Sequence, residues 1–566
     1  MLVFIVLGVY YPALFAPFCS VDDDRMVTWL LNVDHVNVVD IFIPHGSGYY
    51  YRPLLSLLNL LDKYAWDLQP SFMHLLNMVL HATNAFLVYL IAERLATLKQ
   101  LELPWFPFAA ALLFALHPIN TESVIWISGR TDLLSALFIL LSFLVLLSAQ
   151  QRKSITLIFT AAFLFFVSTL AKDSAIFWYP GILAYLYCTT LYRKKQRDIS
   201  YAVASIAAFT CVPVVYFLIR RMAFSKGDTG VSLALQGVSG TSFDLLMKSK
   251  IILKALGFYL KKIIWPFPLN FTIVSVSDWY IVLGVATILL FLWLLYRRSV
   301  IASLYLMAIC LVLPALLVPL GKMAWTPLAE RYLYMSSAFF SIGVSLYVCL
   351  RQRRMVTQPL VIVVLALGYA GIGYACYDRA VIWQDNLTLF QDCVNKSPGF
   401  APARNDLAVA LQKKGRNEEA RKIFLSDSLP NEDKYSIITD LNKATTMAAN
   451  KDVEGAIRLL KDKRYDSSKP LYKEYLEMML NLNSRLELSV SDARRIAAIK
   501  RENLDYVMKL HDFTGDPYYY YRLGQMTLRD GNRSAARRYF MLAATNAPPD
   551  AFYRAAAAKL AEKLAH

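Results

Sequence analysis

"HPINTESVIWISGRTDLLSALFILLSFLVLLSAQQRK", residues 117–153, decides the fold. Residues 132–149 form an apolar run close to the ~20 residues that cross a bilayer. One end stops at Arg152 and Lys153. The other end carries His117, Glu122, Arg130 and Asp132. Charge is costly in hydrocarbon, so the run reads as a membrane span. Its two ends differ in kind, one purely basic and one with both signs.

The pattern repeats in both directions. Apolar runs lie at about 2–19, 72–92, 106–119, 132–149, 155–171, 175–191, 201–219, 279–296, 299–320, 332–350 and 359–377. That makes about eleven spans in a chain of 566 residues that is 57% hydrophobic. The mean hydropathy of +0.40 exceeds that of ordinary soluble domains. The expected class is all-α, a polytopic membrane helix bundle.

Alternate connections are basic. They hold Arg94 and Lys99; Arg152 and Lys153; Arg193, Lys194, Lys195 and Arg197; Arg297 and Arg298; Arg351, Arg353 and Arg354. The positive-inside rule makes these loops cytoplasmic. Loops 20–70 and 221–278, and everything after about residue 378, are then expected on the opposite face. The net charge of +17 is explained by these topology signals, and no nucleic-acid partner is expected. The first run, "LVFIVLGVYYPALFAPFC", lacks a basic leader and a cleavage site, and is expected to be a retained span. The seven cysteines form no CxxC and no metal spacing.

Within the loop 221–278, "SKIILKALGFYLKKIIWPFPLNF" (249–271) places Lys250, Lys254, Lys261 and Lys262 among apolar residues. It reads equally as a helix lying among lipid headgroups or as one packed on the bundle. From about residue 395 the chain turns polar and helical. "NDLAVALQKKGRNEEARKIF" and "YRLGQMTLRDGNRSAARRYFMLAATNAPPD" share small and large residues at matching offsets: Leu407, Ala408, Gly415, Ala420 and Phe424 in one; Leu523, Gly524, Gly531, Ala536, Phe540 and Ala543 in the other. That is the tetratricopeptide pattern of paired helices. The expected division is a membrane domain over 1–378 and a soluble repeat domain over 379–566.

Charged residues gather at the non-cytoplasmic ends of the spans. Asp22, Asp23, Asp24 and Arg25 open the first loop, and Arg52 closes it. Glu122, Arg130, Asp132, Lys172, Asp173, Arg220, Arg221, Lys322, Glu330 and Arg331 abut later spans. The span centres hold almost none, which favours a site at one face over a transport path. A carboxylate can act as general base towards a hydroxyl. Adjacent aspartates raise one another's pKa. Arginine and lysine can hold a phosphate and stabilise it as a leaving group. Tyr49, Tyr50, Tyr51 and Trp126 can stack on a sugar. Together these fit sugar transfer from a lipid phosphate.

The segments "DDDR", "YYRPLL", "HPINTESVIWISGRTDLL", "AKDSAI", "AERYLYMSS" and "RAVIWQDNLTLFQDCVNKSP" occur in that order. In this the chain resembles GT-C fold membrane glycosyltransferases with C-terminal tetratricopeptide repeats, relatives of the transmembrane-and-tetratricopeptide O-mannosyltransferases and the protein O-mannosyltransferases. The resemblance implies inverting transfer of a sugar, often mannose, from a polyprenyl phosphate to a hydroxyl on the non-cytoplasmic side. It implies an acidic base in the first outer loop. Asp23 is favoured, with Asp24 beside it and Asp22 as the next candidate. Arg52, Arg130, Lys172 and Arg331 match positions that would hold donor phosphate or sugar, supported by Glu122, Asp132, Asp173 and Glu330.

The expected partners are a polyprenyl-phosphate sugar as co-substrate, membrane lipids, and an acceptor protein or glycan held by the repeats. No metal motif stands out and no cofactor is claimed. Transfer to an envelope glycan or lipid is the alternative, followed by a membrane-anchored repeat scaffold. The compact loops fit a bacterial inner membrane with periplasmic repeats, and an endoplasmic-reticulum membrane obeys the same topology.

Overall fold

The computed structural model describes residues 1–31, 38–43, 47–48, 50–189, 196–224, 227–228, 245–321, 324, 326–352, 358–425, 437–463, 465–467, 471–547, 551 and 553–565. Tyr49, Lys322, Arg193, Lys194, Lys195, Arg353 and Arg354 lie outside these, as do the side chains of Arg25 and Arg197. The chain forms two compact units, Met1–Ser397 and Pro398–His566. Both are helical; a two-residue parallel ladder pairs Ser47 and Gly48 with Gly227 and Asp228.

The first unit is a multi-pass membrane bundle. Among the described residues seven helices are long and apolar enough to cross a bilayer, or eight with the bent pair Phe106–Ala115 and Pro118–Ile125. The other three expected spans are shorter apolar helices, at Leu2–Phe15, Ile155–Ala171 and Trp178–Thr189. The bend of 46° falls at His117-Pro118, where proline cannot supply the helical N–H. Proline also stands in the first turn of Pro70–Leu98 and Pro359–Trp383, where no donor is needed.

Two basic clusters end helices by one device. Lys153 (φ 54°) and Arg298 (φ 49°) take the left-handed conformation that closes a helix. The serine that follows each cluster caps the next helix. Ser154 Oγ accepts from Leu157 N at 3.4 Å, and Ser299 Oγ from Ala302 N at 3.0 Å. Such short turns make antiparallel neighbours.

Burial grades the bundle. The helix Glu330–Arg351 is 72% buried across its apolar window, whereas Tyr280–Arg297 is 17% buried and Pro359–Trp383 only 11%. The last two form outer walls of the unit. The lysine-rich helix Leu245–Ile264 packs on the bundle, burying Leu256, Phe258 and Tyr259. It crosses Tyr280–Arg297 at Gly257 and Gly284, where an added Cβ would strike the partner backbone. Lys250 and Lys254 reach back to Asp278 at 2.9 and 2.8 Å.

The first unit continues beyond the expected boundary at 378. The helix Asn386–Lys396 is fastened to it: Asn386 Nδ2 donates to Phe18 O at 2.9 Å, and Lys396 Nζ to Leu269 O at 2.7 Å. The second unit is made of antiparallel helix pairs. Ala401–Lys413 pairs with Asn417–Leu425, and Tyr518–Arg529 with Arg533–Asn546. Gly415 and Gly531 turn these pairs at φ 76° and 80°. Gly524 lets the Phe540 ring approach, since a Cβ there would lie 2.7 Å from it. The small residues at the repeat offsets are therefore the crossing points of the pairs.

Candidate functional site

The segment after Leu2–Phe15 turns into the short helix Asp23–Leu31. Asp23 is the pivot of that turn and is 1% exposed. Its Oδ2 accepts from Cys19 N at 3.0 Å. Its Oδ1 accepts from Ser128 N at 3.0 Å and Ser128 Oγ at 2.5 Å. The carboxylate thus ties the first loop to the turn Ile127–Gly129. Burial pushes its pKa up from 3.8 to about 6, against the opposing pull of the bonds from Ser128 and Cys19. Gly129 closes the same turn: a Cβ there would lie 2.7 Å from Ser123 O and 2.9 Å from Ser123 Cα.

Fixing Asp23 places its neighbour. Asp22 is exposed and stands on the wall of a cavity of about 560 Å³. Asp24 is exposed and does not line it; Asp24 O accepts from Thr28 Oγ1 at 2.7 Å. Among the described residues the cavity also meets Arg52, Lys172, Arg220 and Arg331, and the carboxylates of Asp132 and Asp173. Four cations and three carboxylates line it, and a fourth carboxylate, Glu122, stands behind Arg331. The lining also includes the apolar side chains of Phe217, Leu317 and Val318. Trp126, Tyr332 and Phe271 line it as well.

Each cation is held differently. Lys172 Nζ donates to Asp132 Oδ1 at 2.6 Å. Arg331 Nη1 meets Glu122 Oε1 at 2.5 Å, and Arg331 N donates to Glu122 Oε2 at 3.2 Å. The Arg331 guanidinium lies 5.0 Å from the ring centres of both Trp126 and Tyr332. Arg52 caps the helix Pro53–Trp66 and stacks 3.9 Å from the Tyr50 ring. Asp173 lies 3.7 Å from Arg52 and 3.4 Å from Arg220.

Five of the expected site residues are off the cavity lining: Asp23, Asp24, Glu122, Arg130 and Glu330. Arg130 is wholly buried and off the cavity wall. Its Nε donates to Asn77 Oδ1 at 2.9 Å, its Nη2 to Met73 O at 3.0 Å, and its Nη1 pairs with Asp62. It pins two helices to the start of Arg130–Arg152 and is a structural anchor. Glu330 pairs with Lys262 at 2.5 Å and accepts from Asn270 N at 3.0 Å. It braces the loop that carries Phe271 to the cavity. Arg220 and Asp62 are absent from the expected site. Arg220 stands among the outer-face charges legible in the sequence, and the cavity adds it to the site. For Asp62 the signal was a lone carboxylate in an apolar helix. Among the described residues no three His, Cys, Asp or Glu side chains converge.

No family model matches the chain. No solved structure matches it either. Curated proteins do. The human protein O-mannosyl-transferase TMTC3 is 26% identical over 416 residues, 66% of this chain and 44% of the relative. Mouse protein O-mannosyl-transferase TMTC2 is 36% identical over 150 residues, 24% of this chain and 17% of the relative. Human protein O-mannosyl-transferase TMTC4 is 41% identical over 103 residues, 17% of this chain and 14% of the relative. The chain is similar to these proteins and its matches span less than half their length.

Proposed function

We propose that this protein is an inverting glycosyltransferase that moves mannose from a polyprenyl phosphate to a hydroxyl of a protein. The observation that carries the reading is one cavity of about 560 Å³ whose lining holds Asp22 together with Arg52, Lys172, Arg220 and Arg331. The names of the similar proteins supply mannose and the protein acceptor.

Asp22 takes the proton of the acceptor hydroxyl as its oxygen attacks the anomeric carbon. The bond from that carbon to the phosphate oxygen breaks, and its electron pair stays on the phosphate. Attack from the face opposite the leaving group inverts the centre. The cations neutralise the charge that develops on the phosphate. The sugar suits the aromatic rings of Trp126 and Tyr332, and the isoprenoid chain suits the apolar lining residues, among them Phe217, Leu317 and Val318. Asp22 replaces Asp23 as base in this reading, because the Asp23 carboxylate is already occupied. The basic connections favour chemistry on the non-cytoplasmic face, periplasmic in a bacterium and lumenal in the endoplasmic reticulum. The helix pairs of the second unit would present the acceptor.

The test is transfer by purified full-length protein from polyprenyl-phosphate mannose to a serine/threonine peptide. Transfer with inversion is expected. Asp22→Asn should slow it by about 10²–10⁴-fold with little change in donor binding. Absence of transfer from any polyprenyl-phosphate sugar overturns the function. Undiminished turnover by the variant overturns the role of Asp22.

A further inference from the structure

Two of the four cavity cations are gripped at hydrogen-bond distance: Lys172 by Asp132 at 2.6 Å and Arg331 by Glu122 at 2.5 Å. The other two share one carboxylate at longer range, and Arg220 Nη1 donates at 3.1 Å to the Tyr216 hydroxyl. Asp173 Oδ1 lies 3.7 Å from Arg52 Nε, and Oδ2 lies 3.4 Å from Arg220 Nη1. Charge-assisted hydrogen bonds close to about 2.7–2.9 Å. Arg52 Nε and Asp173 Oδ1 are both buried and make no hydrogen bond among the described residues. All three side chains line the cavity. A carboxylate standing between two guanidiniums at this range takes the place and the charge of a phosphate.

We propose that Asp173 is a displaceable counter-ion: it neutralises Arg52 and Arg220 in the empty site, yields them to the donor phosphate, and drives the product phosphate out. This rests on the glycosyl-transfer reading above. The donor is a phosphodiester with one negative charge. When the bond to the anomeric carbon breaks, the electron pair left on oxygen makes a monoester of about −1.5 to −2 at pH 7. Asp173 opposes that added charge at close range, where screening by salt is weak. The donor is therefore tolerated and the product is repelled. The pairs Lys172–Asp132 and Arg331–Glu122 cannot exchange partners so readily, because each is already closed.

The full-length protein in detergent micelles tests this with two probes, farnesyl phosphate and its methyl ester, at pH 8. The first is a dianion and the second a monoanion. Wild type should bind the dianion no tighter than the monoanion. Asp173→Asn should bind the dianion roughly tenfold tighter than wild type, with a smaller gain for the ester. In turnover the same variant should show a lower donor KM, a lower kcat and stronger inhibition by farnesyl phosphate. Asp173→Glu keeps the charge and should restore the wild-type preference. Equal dianion binding by folded Asp173→Asn and wild type overturns the proposal. So does a tenfold preference for the dianion in wild type, which decides the matter even if the variant does not fold. Failure of wild type to bind either probe overturns the donor assignment itself.

Discussion

Three consecutive aspartates have three different surroundings. Asp24 is solvated, Asp22 faces the cavity, and Asp23 is buried as a clasp on Ser128. Charge clustering locates the loop. It cannot rank its members, because which side chain turns inward depends on Ser128, 105 residues away. The buried Asp23 has a pH signature. Its folded pKa of about 6 stands above 3.8, so between about pH 4 and 6 the folded protein keeps a proton the unfolded chain has lost. Its contribution is full below pH 4, falls as pH rises to 6 and is constant above. The change is roughly 3 kcal/mol from a 2-unit shift. Asp23→Asn should remove that slope from melting temperatures recorded between pH 4 and 6. Identical slopes in both proteins would contradict the assignment. Arg130 shows the same limit of sequence: a motif made it conspicuous, but its partner Asp62 lies 68 residues away.

Helices and turns were more legible. The basic clusters that signal topology also end helices, since Lys153 and Arg298 are the left-handed closing residues before a capping serine. One set of residues thus serves two local rules, and sequence can read both. In the sequence, the kinked passage 117–129 reads only as the charged end of the spans 106–119 and 132–149. Its real shape comes from Pro118 and from the approach of Gly129 to Ser123. Backbone lies against backbone there, so no side chain can give way. Gly129→Ala should cost about 1–3 kcal/mol by overpacking. It should also slow transfer, because the displaced turn carries Ser128, the partner of Asp23. A variant that melts and turns over like wild type would show that the turn has slack.

On the scale of the whole molecule, the turn to polar sequence at about residue 395 falls at the end of the first unit, Ser397, whereas the expected boundary at 378 follows the last apolar run. That run is the end of the apolar bundle. It does not mark the end of its fold. The polar helix Asn386–Lys396 belongs to the first unit through Lys396, Asn386 and the Arg379–Asp392 pair at 2.5 Å. Hydropathy reports contact with lipid, whereas a polar helix docks through hydrogen bonds that composition does not display. A chain ending at residue 397 should bind farnesyl phosphate as the full protein does, whereas one ending at 378 should melt several degrees lower and bind it weakly. Equal melting of the two would move the boundary back.

The two outer walls differ in length. Tyr280–Arg297 has 18 residues and Pro359–Trp383 has 25. Only the first 19 residues of the longer wall are apolar, because Asp378 and Arg379 follow. At 1.5 Å per residue both apolar stretches are about 27–29 Å tall, close to a typical hydrocarbon core of about 30 Å. The last six residues of the longer wall therefore rise about 9 Å beyond the hydrocarbon. That protruding end is a post among the lipid headgroups, and Arg379 on it is the peg to which Asp392 is tied.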